Sequence, residues 1–108
     1  IQVECNGLLA YSWLDQESMR FYGATAGDCY NIVNYTLVLS GAKMGLLFEE
    51  YADQVKVSFR CRSGYRVDEL ARRAGGGGHL LASGCKLTGG LQAAMAAVLP
   101  AARQLLTP

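Results

Sequence analysis

The sequence predicts one compact α/β domain of the α+β kind: a mixed sheet of about four to five strands, packed with helices and ending in a C-terminal helix. Three observations carry that prediction. Residues Val55 to Arg62 alternate apolar and polar side chains at the period of a strand. Val67 to Ala74 and Leu91 to Leu106 instead place apolar residues at helical spacing. A chain of 108 residues that is 51% hydrophobic and 18% charged can bury one core but is too short for two.

Residues Gln2 to Leu14 are rich in apolar and aromatic side chains and read as a first strand. Asp15 follows, a residue type whose carboxylate caps helix N-termini, so a helix is expected over Gln16 to Tyr22 with Gly23 closing it. A second helix is expected from about Asp28, with Tyr30, Ile32, Val33 and Leu37 facing the core and Ser40-Gly41 turning the chain. Lys43 to Glu50 reads as a strand, and Ala52-Asp53-Gln54 as the turn into the alternating segment. In that segment Val55, Val57, Phe59 and Cys61 share one face, and Lys56, Ser58, Arg60 and Arg62 the other. Val67 to Ala74 has its acids first and its bases last, as a short helix running with its dipole requires. Cys85 to Leu87 reads as a short strand. Leu91, Met95, Val98, Ala102 and Leu105 then mark the core side of the terminal helix, in which Pro100 predicts a kink or a fresh turn.

Composition excludes several classes of function. No apolar run approaches a membrane span, so no membrane partner is expected, and Ile1 follows no basic leader, which reads as a domain cut from a longer protein. Cys5, Cys29, Cys61 and Cys85 form no Cys-x-x-Cys pair, and His79 is the one histidine, so no metal site is expected; the cysteines read as reduced thiols of a cytoplasmic protein. Residues 1–55 hold two bases against seven acids, a balance of −5, and residues 56–108 eight bases against two acids, +6, which together give the net +1. That asymmetry argues for one basic face turned toward an anion.

The segment hardest to explain by packing is Gly75-Gly76-Gly77-Gly78-His79. Glycine runs are often linkers, but here both flanks are apolar enough to be packed elements. Bare backbone N–H groups of Gly76, Gly77 and Gly78 can approach a phosphate, and Leu80 to Ser83 are expected to open a short helix whose N-terminus would favour it. Arg60 and His79 are the expected direct contacts, with Ser58 and Arg62 behind them, since a guanidinium fork holds two phosphate oxygens at once. The plainer readings are a solvated sheet face for the strand and a helix-capping structural role for His79. Asn34 can reach a base or satisfy a buried carbonyl, and Tyr65 can stack on a base or fold back on the sheet.

The runs Val55 to Arg60, Val67 to Ala71, Gly75 to His79 and Ala82-Ser83-Gly84 resemble the DHH-associated domain, the C-terminal lobe of DHH-family phosphoesterases. These include RecJ-like exonucleases, nanoRNA and adenosine-bisphosphate phosphatases, cyclic-dinucleotide phosphodiesterases and exopolyphosphatase-related proteins. The likeness extends to Gly27-Asp28, Ile32 to Tyr35 and Leu47 to Glu50, so it covers nearly the whole chain, residues 1–108. Two positions depart from the family pattern: Cys61 stands where serine is common, and Ser83 where a second alanine is.

The resemblance implies a substrate-binding lobe for nucleotides or short oligonucleotides, phosphate-directed and indifferent to the base. It places manganese and the catalytic carboxylates in an N-terminal DHH lobe, so no catalytic residue is expected in this chain. Related domains also end alanyl-tRNA synthetases, which implies a nonhydrolytic nucleic-acid module as the alternative. A further alternative makes the apolar terminal helix an oligomerisation surface, and a homodimer is compatible with the family.

Overall fold

The computed structural model describes the backbone of residues 1–22 and 26–106, with the side chains of 1–20 and 32–106. Six strands form one mixed sheet: β1 (Gln2–Glu4), β2 (Leu9–Leu14), β3 (Met44–Glu50), β4 (Val55–Cys61), β5 (Gly77–Gly78) and β6 (Ala82–Leu87). Their order across the sheet is β1-β2-β3-β4-β6-β5. Four helices pack on it: α1 (Gln16–Tyr22), α2 (Ala26–Ser40), α3 (Asp68–Arg73) and α4 (Gly90–Leu106). The mixed α and β class is as the sequence predicts, with one or two strands more than expected.

The additional strands arise where local sequence is a weak guide. Residues 2–14 are not one strand but two, antiparallel and joined through a turn in which Cys5 and Asn6 take the left-handed φ values of 54° and 56°. Strand β5 is made of glycines, which have little strand preference of their own, and forms by pairing with β6. The helix expected over Leu80 to Ser83 is absent. His79 and Ala82 exchange backbone hydrogen bonds at 2.8 and 3.3 Å, so Leu80-Leu81 are the two-residue tip of a hairpin.

Elsewhere the sequence reads true. Asp15 Oδ1 accepts the backbone N–H of Ser18 at 2.7 Å, the capping bond expected at the start of α1. Gly41, at φ +70°, ends α2. The α1–α2 crossover brings β3 parallel to β2, the one parallel pairing in the sheet. The expected core position Val33 meets Leu47 across the α2–sheet contact, with Leu14, Met19 and the expected Ile32 around them. Tyr30 and Asp28, expected to belong to the same helix, lie outside the described side chains.

On the opposite face Met44, Leu46, Phe48, Val55, Val57 and Phe59 are fully buried beneath α3 and α4. Truncating either phenylalanine to alanine would cost about 3–5 kcal/mol. Helix α4 continues through Pro100, so no new turn begins there. Its core row ends on Leu106 rather than the expected Leu105, which is exposed, because the helix carries Ala94, Val98, Leu99 and Ala102 against the sheet and that row continues to Leu106. Glu50, at the end of β3, accepts the backbone N–H groups of Gln16 and Leu91 at 3.1 and 3.0 Å, so one carboxylate serves the N-terminal turns of two helices.

Helix α2 covers the other face over β2 and β3 and reaches β4, while β6 and β5 lie beyond it. That unequal cover leaves Lys56 and Arg60 on the polar side of β4 partly exposed, with Ser58 between them buried.

Candidate phosphate-binding trough

The antiparallel register of β4 and β6 arranges the accessible face in rows. Arg60 is opposite Ala82, Ser58 opposite Gly84 and Lys56 opposite Lys86. The hairpin adds a third column, His79 beside Ala82 and Gly77 beside Gly84. Adjacent strands are about 4.8 Å apart, so Arg60 and His79 stand about 10 Å apart at their Cα atoms with only the Ala82 methyl between them. The result is a shallow trough of about 430 Å³ lined by Lys56, Ser58, Arg60, Gly77, Gly78, His79, Ala82, Ser83 and Gly84. Its lining contains four groups able to hold an anion and no acid.

The small floor has two different causes. A Cβ on Gly76 would fall 2.0 Å from the Gly84 carbonyl oxygen, and one on Gly78 2.6 Å from Ser83 Cα, so the chain's own packing requires glycine at both. At Gly77 nothing lies within 4 Å of an added Cβ, and the position faces the trough. Packing within the chain therefore leaves Gly77 free to be larger.

The backbone donors are also unequal. Gly76 N–H is bonded to the Ala71 carbonyl at 2.8 Å, where it finishes α3, so it does not point at a ligand as the sequence suggested. Because His79 and Ala82 exchange both hydrogen bonds, antiparallel alternation makes Gly77 and Gly84 the next bonded pair and turns the Gly78 N–H off the outer edge of β5. Of the three expected donors, Gly78 is the one directed away from its own sheet.

The hairpin tip is anchored from below. Val67 N–H bonds the Leu80 carbonyl at 2.8 Å and Cys61 N–H the Leu81 carbonyl at 3.1 Å, which fixes His79 at the rim. His79 is exposed, and with no helix after it the helix-capping reading has no structure to act on. Arg60 Nη1 donates to its neighbouring Phe59 carbonyl at 2.8 Å, holding the guanidinium against the sheet.

Other sequence-predicted groups are placed elsewhere. Arg62 lies past the end of β4, where its Nε donates to the Ala42 carbonyl at 3.0 Å, so it does not line the trough. Arg66 and Arg72 converge on Asp68 at 2.9 and 3.3 Å, and Arg73 faces Glu69 at 3.7 Å. Hydrogen bonds from Arg66 hold the Asp68 carboxyl down at about 2. These bases neutralise helix α3 and its approach rather than gathering at the glycines. Tyr65 packs against the apolar core, the fold-back reading of that residue, and Asn34 is half-buried in α2. Cys61 and Cys85 are buried thiols on the core face, both pushed up by burial, Cys85 to about 11, so the serine-to-cysteine departure removes no hydroxyl from the trough. Cys29 lies outside the described side chains.

Sequence reading missed Lys56, Ala82 and Gly84 as parts of the site. The signal for Lys56 was present in the alternation of β4. The small residues became meaningful only once β6 was known to lie beside β4.

Among the described residues no three His, Cys, Asp or Glu side chains gather as a metal site would require. Among the described residues, no helix is long and apolar enough to cross a membrane.

Residues 7–107 match the family model of the DHHA1 domain. The chain is 33% identical over 75 residues to the bifunctional oligoribonuclease and PAP phosphatase NrnA of Bacillus subtilis, and 35% identical over 81 residues to the protein of the same name from Thermus thermophilus. Those alignments cover 69% and 74% of this chain but 24% and 25% of the relatives, so the chain spans about a quarter of their length. An exopolyphosphatase-related protein from Bacteroides fragilis superimposes with a TM-score of 0.84 at 26% identity, over 97% of this chain and 32% of that one. Likeness of fold alone reaches the C-Ala domain of Aquifex aeolicus alanyl-tRNA synthetase, with a TM-score of 0.62 at 12% identity over 93% of this chain and 91% of that one.

Proposed function

The chain belongs to the DHHA1 domain family, and from that premise we propose that it is the substrate-holding lobe of a phosphoesterase acting on nucleotides or short oligonucleotides. The observation that carries the reading is the row Arg60, Ala82, His79: two groups able to bind phosphate, facing each other over a methyl-sized floor with no acid in the lining. A phosphate resting over Ala82 meets the Arg60 guanidinium from one side and the His79 imidazole from the other. Ser58 lies along the same trough, Gly77 leaves room for the ligand to lie close to the backbone, and the Gly78 N–H is available at the outer edge of β5. None of these groups reads a base, so recognition rests on the phosphate and the sugar-phosphate shape.

In this reading bond cleavage belongs to a DHH lobe, for which the greater length of the relatives leaves room. Such a lobe would supply manganese and the attacking water, while this chain holds and orients the phosphate and shields it from solvent.

The test is a titration of the chain with adenosine 5′-monophosphate and with a dinucleotide, following the backbone amide signals of Arg60 and Gly77 to His79 by NMR. Localised shifts are expected there, and Arg60→Ala should weaken binding by about thirtyfold, the loss of about 2 kcal/mol for a hydrogen bond to a charged group. Silent amides at millimolar nucleotide, with broad line-broadening on adding a folded RNA, would instead select a structured-RNA module, whose fold the C-Ala likeness shares.

A further inference from the structure

Beyond the row of Arg60 and His79, the register of the sheet brings two lysines together. Lys56 on β4 lies directly opposite Lys86 on β6, on the trough face and two residues along from the Ser58–Gly84 pair. Like charges facing each other across an antiparallel pair are destabilising, so such a pair calls for a counter-charge. Among the described residues neither lysine takes part in an ion pair; those engage Arg66, Arg72, Arg73 and Arg103. The acid that the register puts beside Lys56 is Glu49 on β3. Glu49 is 1% exposed and accepts the Tyr51 hydroxyl at 2.8 Å, and one acid leaves two lysines in excess by one charge.

Space accompanies the charge. A second hollow of about 320 Å³, lined by Lys56, Gly75, Gly76, Gly84, Cys85 and Lys86, shares Lys56 and Gly84 with the trough and continues it. Glycines line its side, so between the Arg60 row and the lysines a chain would pass only the small Ser58–Gly84 pair.

Resting on the substrate-lobe reading, we infer that Lys56 and Lys86 form a second anion subsite, which takes a further phosphodiester of an oligonucleotide whose terminal phosphate lies at Arg60 and His79. Arg60 and Lys56 are four residues apart on one strand, about 13 Å. A phosphate seated over Ala82 in the first row is not also seated between the two lysines of the second, so the second subsite adds affinity only for ligands with more than one phosphate along a chain. The lobe thereby measures substrate length.

The experiment compares the affinity of the chain for adenosine 5′-monophosphate with that for a 5′-phosphorylated trinucleotide, in the wild type, Lys86→Gln, Lys86→Arg and Arg60→Ala. The wild type should bind the trinucleotide more tightly. Lys86→Gln should reduce the trinucleotide-to-mononucleotide affinity ratio about tenfold and flatten the salt dependence of trinucleotide binding by about one unit of slope. Lys86→Arg should restore the ratio. Because Lys86 is exposed and faces a like charge, Lys86→Gln should also melt no lower than the wild type. A ratio unaltered by Lys86→Gln, or equal affinity for the two ligands in the wild type, overturns the second subsite while leaving the Arg60 site standing. Binding that is insensitive to Arg60→Ala overturns the substrate-lobe reading, and the second subsite with it.

Discussion

Two groups of bases lie in the same half of this chain and have opposite surroundings. Arg66, Arg72 and Arg73 lie on or just before helix α3, and each faces an acid of that helix, Asp68 or Glu69. Lys56, Arg60, Lys86 and His79 lie on the sheet face and the hairpin rim, where the trough lining holds no acid. In sequence the two groups form one basic region around the glycines. In the structure each base of the first group is ion-paired on α3, whereas no acid lines the trough beside the second, so the position of the acids, more than the number of bases, marks a surface able to take an anion.

The most severe way to probe that boundary is to compare two adjacent glycines. Gly76 belongs with α3, whose Ala71 carbonyl it caps, and Gly77 belongs to the trough. Gly76→Ala puts a Cβ 2.0 Å from a backbone oxygen and should cost more than about 3 kcal/mol or prevent folding. Gly77→Ala should change stability by less than about 1 kcal/mol, yet it should lower nucleotide affinity about tenfold by placing a methyl where the ligand lies. Thermal melts and nucleotide titrations of the two variants read both effects. Wild-type binding by a folded Gly77→Ala would mean that nucleotide does not lie in the trough.

The α3 group should respond to acid instead of to nucleotide. Arg66 holds the Asp68 carboxyl at about 2, below its ordinary 3.8. A carboxylate with a lowered folded-state value stabilises the fold above its unfolded value and loses that contribution on protonation. Stability should therefore fall as the pH drops from about 4 to about 2. Asp68→Asn should flatten that part of a circular-dichroism acid titration. It should not abolish the decline, because Arg103 and Tyr11 also lower Glu4 through hydrogen bonds. Arg66→Ala should leave nucleotide affinity within about a factor of two, since a paired base away from the trough adds little to its field; a larger loss would join the two groups that the structure separates.

The smallest expected effect is at Ser83, where the family pattern has alanine. Its hydroxyl is buried and makes no hydrogen bond among the described residues. Ser83→Ala should be neutral or stabilising by up to about 1 kcal/mol in a denaturant melt, with no change in nucleotide affinity. A clear destabilisation would mean that the hydroxyl holds the hairpin in place.

The trough was partly legible before the structure. Alternation along β4 put Lys56, Ser58 and Arg60 on one face, and the glycine–histidine run pointed to a close backbone approach. Arg62 obeyed the same alternation but lies past the last paired residue, where it bonds the Ala42 carbonyl, and a period-two pattern cannot say where pairing stops. Lys86 was not legible, because the alternation of β6 is masked by Gly84 and Ser83. The helix expected over Leu80 to Ser83 failed for a related reason. Four apolar and small residues are compatible with a helix or a hairpin, and the pairing of Ala82 with Arg60 on β4 decided the matter.

By itself the sequence determined the class of fold, the capped start of α1, the core face of β4 and the terminal helix. Those follow from periodicity and residue chemistry, which act within a few neighbouring positions. Tertiary structure alone decided which bases an acid neutralises, which glycine N–H is left pointing outward and which lysines face each other. Each of these depends on strand pairing between residues far apart in the chain, and that register is set by burying the common apolar face of β3, β4 and β6 under α3 and α4.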